Sequence, residues 1–452
     1  MDSRLSLGKD NEIPQRILQD KQIGLVSTFA HHTSPFFRID SFLFQMLLST
    51  ILRRRFPKIK IGFFFHTPFP AFEIYRVMPA RKELLQGVLS ADLIGFHTPD
   101  YQRHFQDCCV QILDGARAEG NTVTYNGFTS TLGSYPIGID PQNFIESIET
   151  EQTRQYMEEY KRDFQGKKVF LGIDRLDYIK GIQHKIYALE RLFEKHPHLA
   201  EEVVLVQIAV PSRTDVVEYQ RLKAATHKLV GRVNGLYGSV GRSPIQYLDQ
   251  SIPFHRMCAL YRIADAMVIT SVRDGMNLVA YEWIACQKDR AGTLILSEFA
   301  GAAQSLKGGA SIINPWSVSS VADAMYKSLT SPEEERRKRM DLMFQHVTTQ
   351  TSSAWARQFL TATLKVCHLP LQWLQNLSEP AGTPRAHDKD KENNKTDSFV
   401  IHGNGHNNDL LRGRAFSSPR ERPVRLSHEK PSSLHQHLHQ PLPIQAQNKR
   451  TQ

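Results

Sequence analysis

From roughly Lys58 onward, apolar runs of strand length alternate with longer segments of helical period. The pattern predicts a strand over Lys58–His66, a helix over Ala71–Leu89, a strand over Ala91–His97 and a helix over Tyr101–Leu113. A turn-rich stretch follows, carrying short strand-like runs at Val123–Tyr125 and Ser134–Ile139. Such alternation predicts a parallel α/β sheet. After Asp140-Pro141 the chain turns helical and polar over Glu146–Phe164, and then the pattern restarts with a strand at Lys168–Ile173. Strand Val203–Ala209, helix Val216–Val230, strand Ala266–Thr270, helix Asn277–Gln287, strand Thr293–Ser297 and helices to about Leu364 complete it. Two Rossmann-like domains facing a cleft follow from this reading, because ligands bind at the carboxyl ends of such strands.

The expected division is a divergent N-terminal segment over 1–45, an incomplete N-terminal Rossmann-like domain over 46–148, a C-terminal Rossmann-like domain over 149–377, and a tail over 378–452. Hydrophobic periodicity stops in the tail, where Pro, His, Gln, Asn and Arg follow no fixed pattern, so disorder is expected there. Its histidines, including His435, His437 and His439, read as solvated low-complexity sequence with adventitious metal binding as the competing reading.

Composition changes this picture little. With 452 residues, 40% hydrophobic and 23% charged, the chain can bury a full core. No run of eighteen apolar residues and no signal-peptide core occurs, which predicts a cytoplasmic protein with no membrane partner. Five cysteines without metal-ligand spacing fit a reducing compartment. The net charge of +10 suggests a polyanion, but residues 382–452 hold 12 Lys/Arg against 7 Asp/Glu, so half of the excess lies in the tail and no nucleic-acid partner is expected.

Four segments carry candidate chemistry. Gly172-Ile173-Asp174-Arg175-Leu176-Asp177-Tyr178-Ile179-Lys180-Gly181 sits where a strand ends and a helix begins. Two cations, Arg175 and Lys180, beside a helix N-terminus suit a diphosphate whose charge grows as a bond breaks; a surface loop of solvated charges is the alternative. Arg273-Asp274-Gly275-Met276-Asn277-Leu278-Val279-Ala280-Tyr281-Glu282 is a second strand end. Here Gly275 is expected to take an unusual backbone angle, N–H groups from Met276 to Val279 to be free donors, Asp274 to accept from sugar hydroxyls and Glu282 to hold a ribose. Helix capping by Asp274 and Asn277 competes with this. In Val210-Pro211-Ser212-Arg213-Thr214-Asp215, Arg213 is placed to hold a phosphate, or else to pair with Asp215 at a helix start. In Phe65-His66-Thr67-Pro68, His66 either contacts the transferred group or acts in proton transfer, a catalytic role, or else is a hydrogen-bonded structural histidine. Arg53–Arg55 read as a solvent-facing helix C-terminus without function.

Taken together, IGFFFHTPFPAFEIYR, ADLIGFHTPDYQRHF, YPIGID, LGIDRLDYIKGI, LVQIAVPSRTDVVEYQ, VITSVRDGMNLVAYEWIACQ, LSEFAGAA and NPW resemble, in this order and spacing, the trehalose-6-phosphate synthases, glycosyltransferases of the GT-B fold. The resemblance runs from about Met46 to Leu360. It implies transfer of glucose from UDP-glucose to glucose 6-phosphate with retention, giving trehalose 6-phosphate and UDP, without a metal or other cofactor. It implies that Arg175 and Lys180 neutralise the leaving diphosphate and that backbone around Ile252 meets the uracil. Asp274, Gly275, Met276 and Asn277 would meet the glucose, Leu278, Val279 and Glu282 the diphosphate and ribose, and Arg213 the acceptor phosphate. It leaves open association with a second copy or with other trehalose-pathway subunits.

The departures lie at the start. The family's first strand, its glycine-rich loop and its acceptor aspartate are expected to be missing, with Gly24-Leu25-Val26 only an echo of the loop. An ungapped alignment puts Ser41, Phe42, Leu43 and Phe44 at the family's His-Asp-Tyr-His segment, so Phe42 replaces the aspartate and fills the acceptor site with apolar bulk. A sheet lacking its early strands is expected to expose a pairing edge. These departures keep a second reading in play, a catalytically impaired regulatory or nucleotide-sugar-binding subunit. A transferase with a changed acceptor is the third.

Overall fold

Continuous apolar runs rather than alternating ones predict strands covered on both faces, and the computed structural model has two such sheets. It describes the backbone of residues 23–28 and 35–369 and the side chains of residues 45–369. The first sheet contains β1 (Ile23–Thr28), β2 (Lys60–Phe65), β3 (Leu93–Phe96), β4 (Arg117–Glu119), β5 (Thr122–Tyr125) and β6 (Phe128–Ser134), in the order β1-β2-β3-β6-β5-β4. Its first four neighbours are parallel and β4 and β5 form an antiparallel edge. The second sheet is wholly parallel, with β7 (Lys168–Arg175), β8 (Val203–Val210), β9 (Ile245–Leu248), β10 (Ala266–Ile269), β11 (Thr293–Ser297) and β12 (Ser311–Ile313) in the order β12-β11-β10-β7-β8-β9.

That second order fixes where a ligand can bind. From β7 the chain steps outward to β8 and β9, then returns to β10 on the opposite side and continues to β12. Between β7 and β10 the direction of winding reverses, and the connections leaving these two strands part to opposite faces and open a crevice at their carboxyl ends. The segments Arg175–Gly181 and Ser271–Asn277 leave the sheet at that point.

Several sequence expectations change. The helix expected over Ala71–Leu89 is two helices, Phe72–Tyr75 and Arg81–Val88. Pro79 lies between them, and a proline lacks the N–H needed to continue and disfavours helix in the residue before it. The strand run at Ser134–Ile139 lies instead at Phe128–Ser134, with Pro136 beyond its end. Glu146–Phe164 divides at Thr150, whose side chain caps the second helix, Glu151–Asp163. The open edge expected beside the Lys58–His66 strand is covered: Gly24-Leu25-Val26 lies within β1, which pairs with β2 from Ile23↔Lys60 to Thr28↔Phe65. A 21-residue helix, Pro35–Arg55, packs on this part of the sheet. Arg53 is no solvent-facing cation. It bonds Asp92 at 2.7 Å and the carbonyls of Ser90 and Ile59. Phe42 belongs to the helix by its backbone, while its side chain, like the whole tail over 378–452, lies outside the described residues.

The last described helix, Ser352–Val366, crosses back to the first sheet. Phe359 packs with Phe64 and Leu93. A Cβ at Gly95 would stand 2.7 Å from the Phe359 ring, so glycine there admits the close approach. This return helix brings Trp355 to the carboxyl end of β2, 5.5 Å between ring centroids from His66.

Candidate functional site

Arg175 ends β7, and the loop after it returns through a 3₁₀ turn, Tyr178–Lys180, capped by the buried Asp177 on the Ile179 N–H. Gly181 closes the turn with φ 64°, and a Cβ there would lie 2.0 Å from the Thr270 carbonyl oxygen. Only glycine satisfies both the backbone angle and that contact. Lys180 is thereby held against the segment after β10, where its Nζ bonds Asp274 Oδ2 at 2.5 Å. The same oxygen accepts from Asn277 Nδ2 at 2.9 Å. Burial opposes ionisation of Asp274, but Lys180, Asn277 and Arg175 outweigh it and hold the carboxyl below its usual range.

Arg175 sits in the same crevice. Burial pulls its guanidinium below the usual range, against the attraction of Asp177 and Asp274 and with the repulsion of Arg213. Its Nη1 is buried with no hydrogen-bond partner among the described residues. A buried, unpaired, charged donor is costly, and it is the expected state of a group shaped for an anion that completes it. Arg213, exposed and at φ 51°, completes a set of three cations. Its guanidinium lies over the Tyr219 ring at 5.2 Å and donates to the Tyr219 hydroxyl at 2.6 Å, so the expected alternative pairing with Asp215 is replaced by an aromatic partner.

At the second strand end the residue with positive φ is Asn277, at 71°, not Gly275. Asn277 caps helix Leu278–Cys286 through the Ala280 N–H, so the capping reading holds for Asn277, and Asp274 supports it through the Asn277 amide. Gly275 has a different purpose: a Cβ there would lie 2.4 Å from the His66 carbonyl oxygen, across the cleft. The Tyr101 hydroxyl also crosses, donating to the Asp274 carbonyl at 3.1 Å, and Gln304 donates to Asp100 at 2.7 Å. Met276 is buried, its carbonyl accepting from Ala302, and the N–H groups of Leu278 and Val279 stand in the first helical turn, where no intrahelical acceptor exists. One turn on, Glu282 accepts from the buried Tyr261 hydroxyl at 2.8 Å, and burial pushes its carboxyl up to about 7. Ile252 is buried in the loop after β9.

His66 follows β2 and is packed by Phe64 at 4.7 Å, His97 at 5.3 Å and Trp355 at 5.5 Å. Burial, then His97, drives its pKa well below 6.5, so its imidazole is neutral at pH 7. His97 is the residue that sequence reasoning overlooks. Burial pushes it down to about 4. Its signal is a repeat: the adjacent parallel strands β2 and β3 are each followed by His-Thr-Pro, at 66–68 and 97–99.

Residues 43–365 match the family model for glycosyltransferase family 20. The chain is similar to UDP-forming alpha,alpha-trehalose-phosphate synthase A of Dictyostelium discoideum, 52% identical over 316 residues, which cover 70% of this chain and 43% of that protein. It therefore spans less than half the length of that relative. A UDP-forming alpha,alpha-trehalose-phosphate synthase from Burkholderia xenovorans, solved in complex with glucose-6-phosphate, superposes with a TM-score of 0.69 at 31% identity, covering 77% of this chain and 75% of that one. An E. coli structure described as trehalose-6-phosphate bound with UDP-2-fluoro glucose gives a TM-score of 0.70 at 30% identity, covering 77% and 74%. With two Rossmann-like sheets in the GT-B arrangement and a family match over more than two thirds of its length, the chain belongs to glycosyltransferase family 20.

Proposed function

We propose that the chain is a retaining glycosyltransferase that moves glucose from UDP-glucose to glucose 6-phosphate, forming trehalose 6-phosphate and UDP. The observation that carries this reading is the Arg175 guanidinium, whose buried Nη1 has no hydrogen-bond partner among the described residues, beside Lys180 at the point where the second sheet reverses its winding. In the reaction the bond between the anomeric carbon and the diphosphate oxygen breaks, and its electron pair leaves with UDP. Arg175 and Lys180 meet the charge that develops there, preorganised and largely out of water, where such groups act most strongly. The Leu278 and Val279 N–H groups, at the positive end of a helix dipole, add to them.

The remaining roles are those that the resemblance to the family implies. Backbone near Ile252 meets the uracil and Glu282 the ribose. Asp274 holds Lys180 and Asn277 in place, and the segment from Gly275 to Asn277 faces the glucose. Arg213, kept planar against Tyr219, takes the acceptor phosphate. Neutral His66 serves as a hydrogen-bonding contact to the sugar rather than as a charged acid. The acceptor hydroxyl attacks on the face that UDP leaves, and its proton passes to the departing phosphate. The impaired-subunit reading rests on Phe42 together with the expected lack of the glycine-rich loop, and the similarity to UDP-forming synthases favours the active transferase over it. The proposed setting is the cytoplasm, supported by five buried cysteines that are all free thiols.

The test is UDP release by the purified full chain with UDP-glucose, with and without glucose 6-phosphate, together with product identification. Release that depends on the acceptor, lowered roughly 100-fold or more in Arg175→Ala and Lys180→Ala, is expected. No acceptor-dependent release, or unchanged turnover in both variants, overturns the proposal.

A further inference from the structure

Beneath the cation-bearing loop lies a charge pair that the proposed chemistry does not use. On the face of the second sheet that carries Phe170, Leu205 and Ala209, β7 contributes Gly172 and Asp174, and β8 contributes Gln207 opposite Gly172. Alternate residues of a strand share a face, so these three stand together. Helix Ile182–Lys195 covers them with Lys185, which is fully buried. Lys185 Nζ bonds Asp174 Oδ2 at 2.7 Å and Gln207 Oε1 at 2.9 Å. Gln207 Nε2 closes the ring, donating to Asp174 Oδ2 at 3.1 Å and to the Ile208 carbonyl at 3.0 Å. Room for this exists because position 172 has no side chain: a Cβ there would lie 2.2 Å from Lys185 Nζ and 2.3 Å from Gln207 Oε1.

Stability alone does not account for the arrangement. Its neighbours on this face are apolar, including Ile186 and Leu189 from the covering helix. Replacing a buried ion pair by apolar residues of similar volume is often neutral or stabilising. Directional bonds instead fix register, which apolar contacts leave free to slide. The register in question is that of the loop. Asp174 immediately precedes Arg175. Lys185 donates its own backbone N–H to the Gly181 carbonyl at 3.2 Å, directly after Lys180, and Thr270 Oγ1 holds that carbonyl at 2.8 Å. The pair thus joins the residue before the first cation to the residue that anchors the loop after the second.

We propose that the Asp174–Lys185 pair is a clasp across the base of the Arg175–Gly181 loop, with Lys185 a positioning residue that sets the separation of the two cations for a nucleoside diphosphate. The inference rests on the reading of Arg175 and Lys180 as the diphosphate site. Opening the clasp leaves both cations present and Lys180 still on Asp274, but no longer ties the Arg175 end of the loop to its far end, and small misplacements of such groups are costly.

The experiment is calorimetric titration of UDP and of uridine into the full chain, comparing wild type, Arg175→Ala, Lys185→Met and the double variant Asp174→Asn with Lys185→Met. Uridine lacks the phosphates, so a defect confined to UDP is a defect in the cation loop. The double variant strands no charge, and it carries the test if Lys185→Met alone does not fold. UDP affinity is expected to fall roughly tenfold or more in Lys185→Met and in the double variant, with uridine affinity and the thermal midpoint of the double variant close to wild type. The clasp is overturned if the double variant binds UDP as wild type does, or if UDP and uridine weaken together. If Arg175→Ala leaves UDP affinity unchanged, the diphosphate reading itself fails, which is a separate outcome.

Discussion

Replacing Glu282 by Gln tests the electrostatics of the crevice without removing bulk. Burial lifts the Glu282 carboxyl from 4.5 to about 7, and the Tyr261 hydrogen bond only partly offsets that. Between these values the folded chain holds a proton that the unfolded chain has lost, so stability declines as pH rises through the window. At about 1.4 kcal/mol per unit, the charged form costs the fold about 3 kcal/mol once pH passes 7. Glutamine keeps the shape and carries no charge, so the variant is expected to be more stable than wild type above neutrality. The gain is expected to be about 2 kcal/mol larger at about pH 8 than at about pH 5.5. Urea unfolding of both proteins at the two pH values measures it, the other titrating groups cancelling in the difference. A gap that does not change with pH refutes the raised pKa. The same variant also removes a ribose contact, so its UDP affinity is expected to be lower and to lose any pH dependence centred near 7.

Other substitutions probe separate features. Gly275→Ala places a methyl 2.4 Å from the His66 carbonyl oxygen across the cleft. Backbone there cannot yield locally, so transfer is expected to fall at least tenfold by a steady-state assay while the thermal midpoint changes little; unchanged kcat/KM would refute the close approach. Phe359→Ala empties the contact between the return helix and β2 and is expected to cost about 3 to 5 kcal/mol in chemical denaturation. A loss below 1 kcal/mol would show that the helix is not anchored there. Arg53→Ala leaves the Asp92 carboxylate short of its cation and is expected to cost about 2 kcal/mol, whereas a solvent-facing arginine would cost almost nothing.

The two-sheet architecture was legible because its strands are continuous apolar runs separated by helical periods, a local signal. The loops at 172–181 and 273–282 were legible as strand-to-helix transitions for the same reason. Breaks are less so: Pro79 divides the helical pattern of Ala71–Leu89 into two helices, and the strand ends at Ser134, short of Pro136, rather than running on to Ile139. The pairing of Arg53 is not legible, since its partner Asp92 is far along the chain and no local pattern announces such a pair.

What the sequence determined by itself is therefore the alternation of strands and helices in two sheets, the cations Arg175, Lys180 and Arg213, and their place at and after the ends of strands β7 and β8. Tertiary structure decided the rest. Strand order put β7 beside β10, so that Lys180 meets Asp274 and Arg175 Nη1 is left buried with no hydrogen-bond partner among the described residues. The return of helix Ser352–Val366 put Trp355 on His66, and the sheet face put Lys185 on Asp174. Periodicity reports which face of an element is apolar, but it carries no record of which distant element covers that face. Burial, pKa and charge pairing depend on that cover.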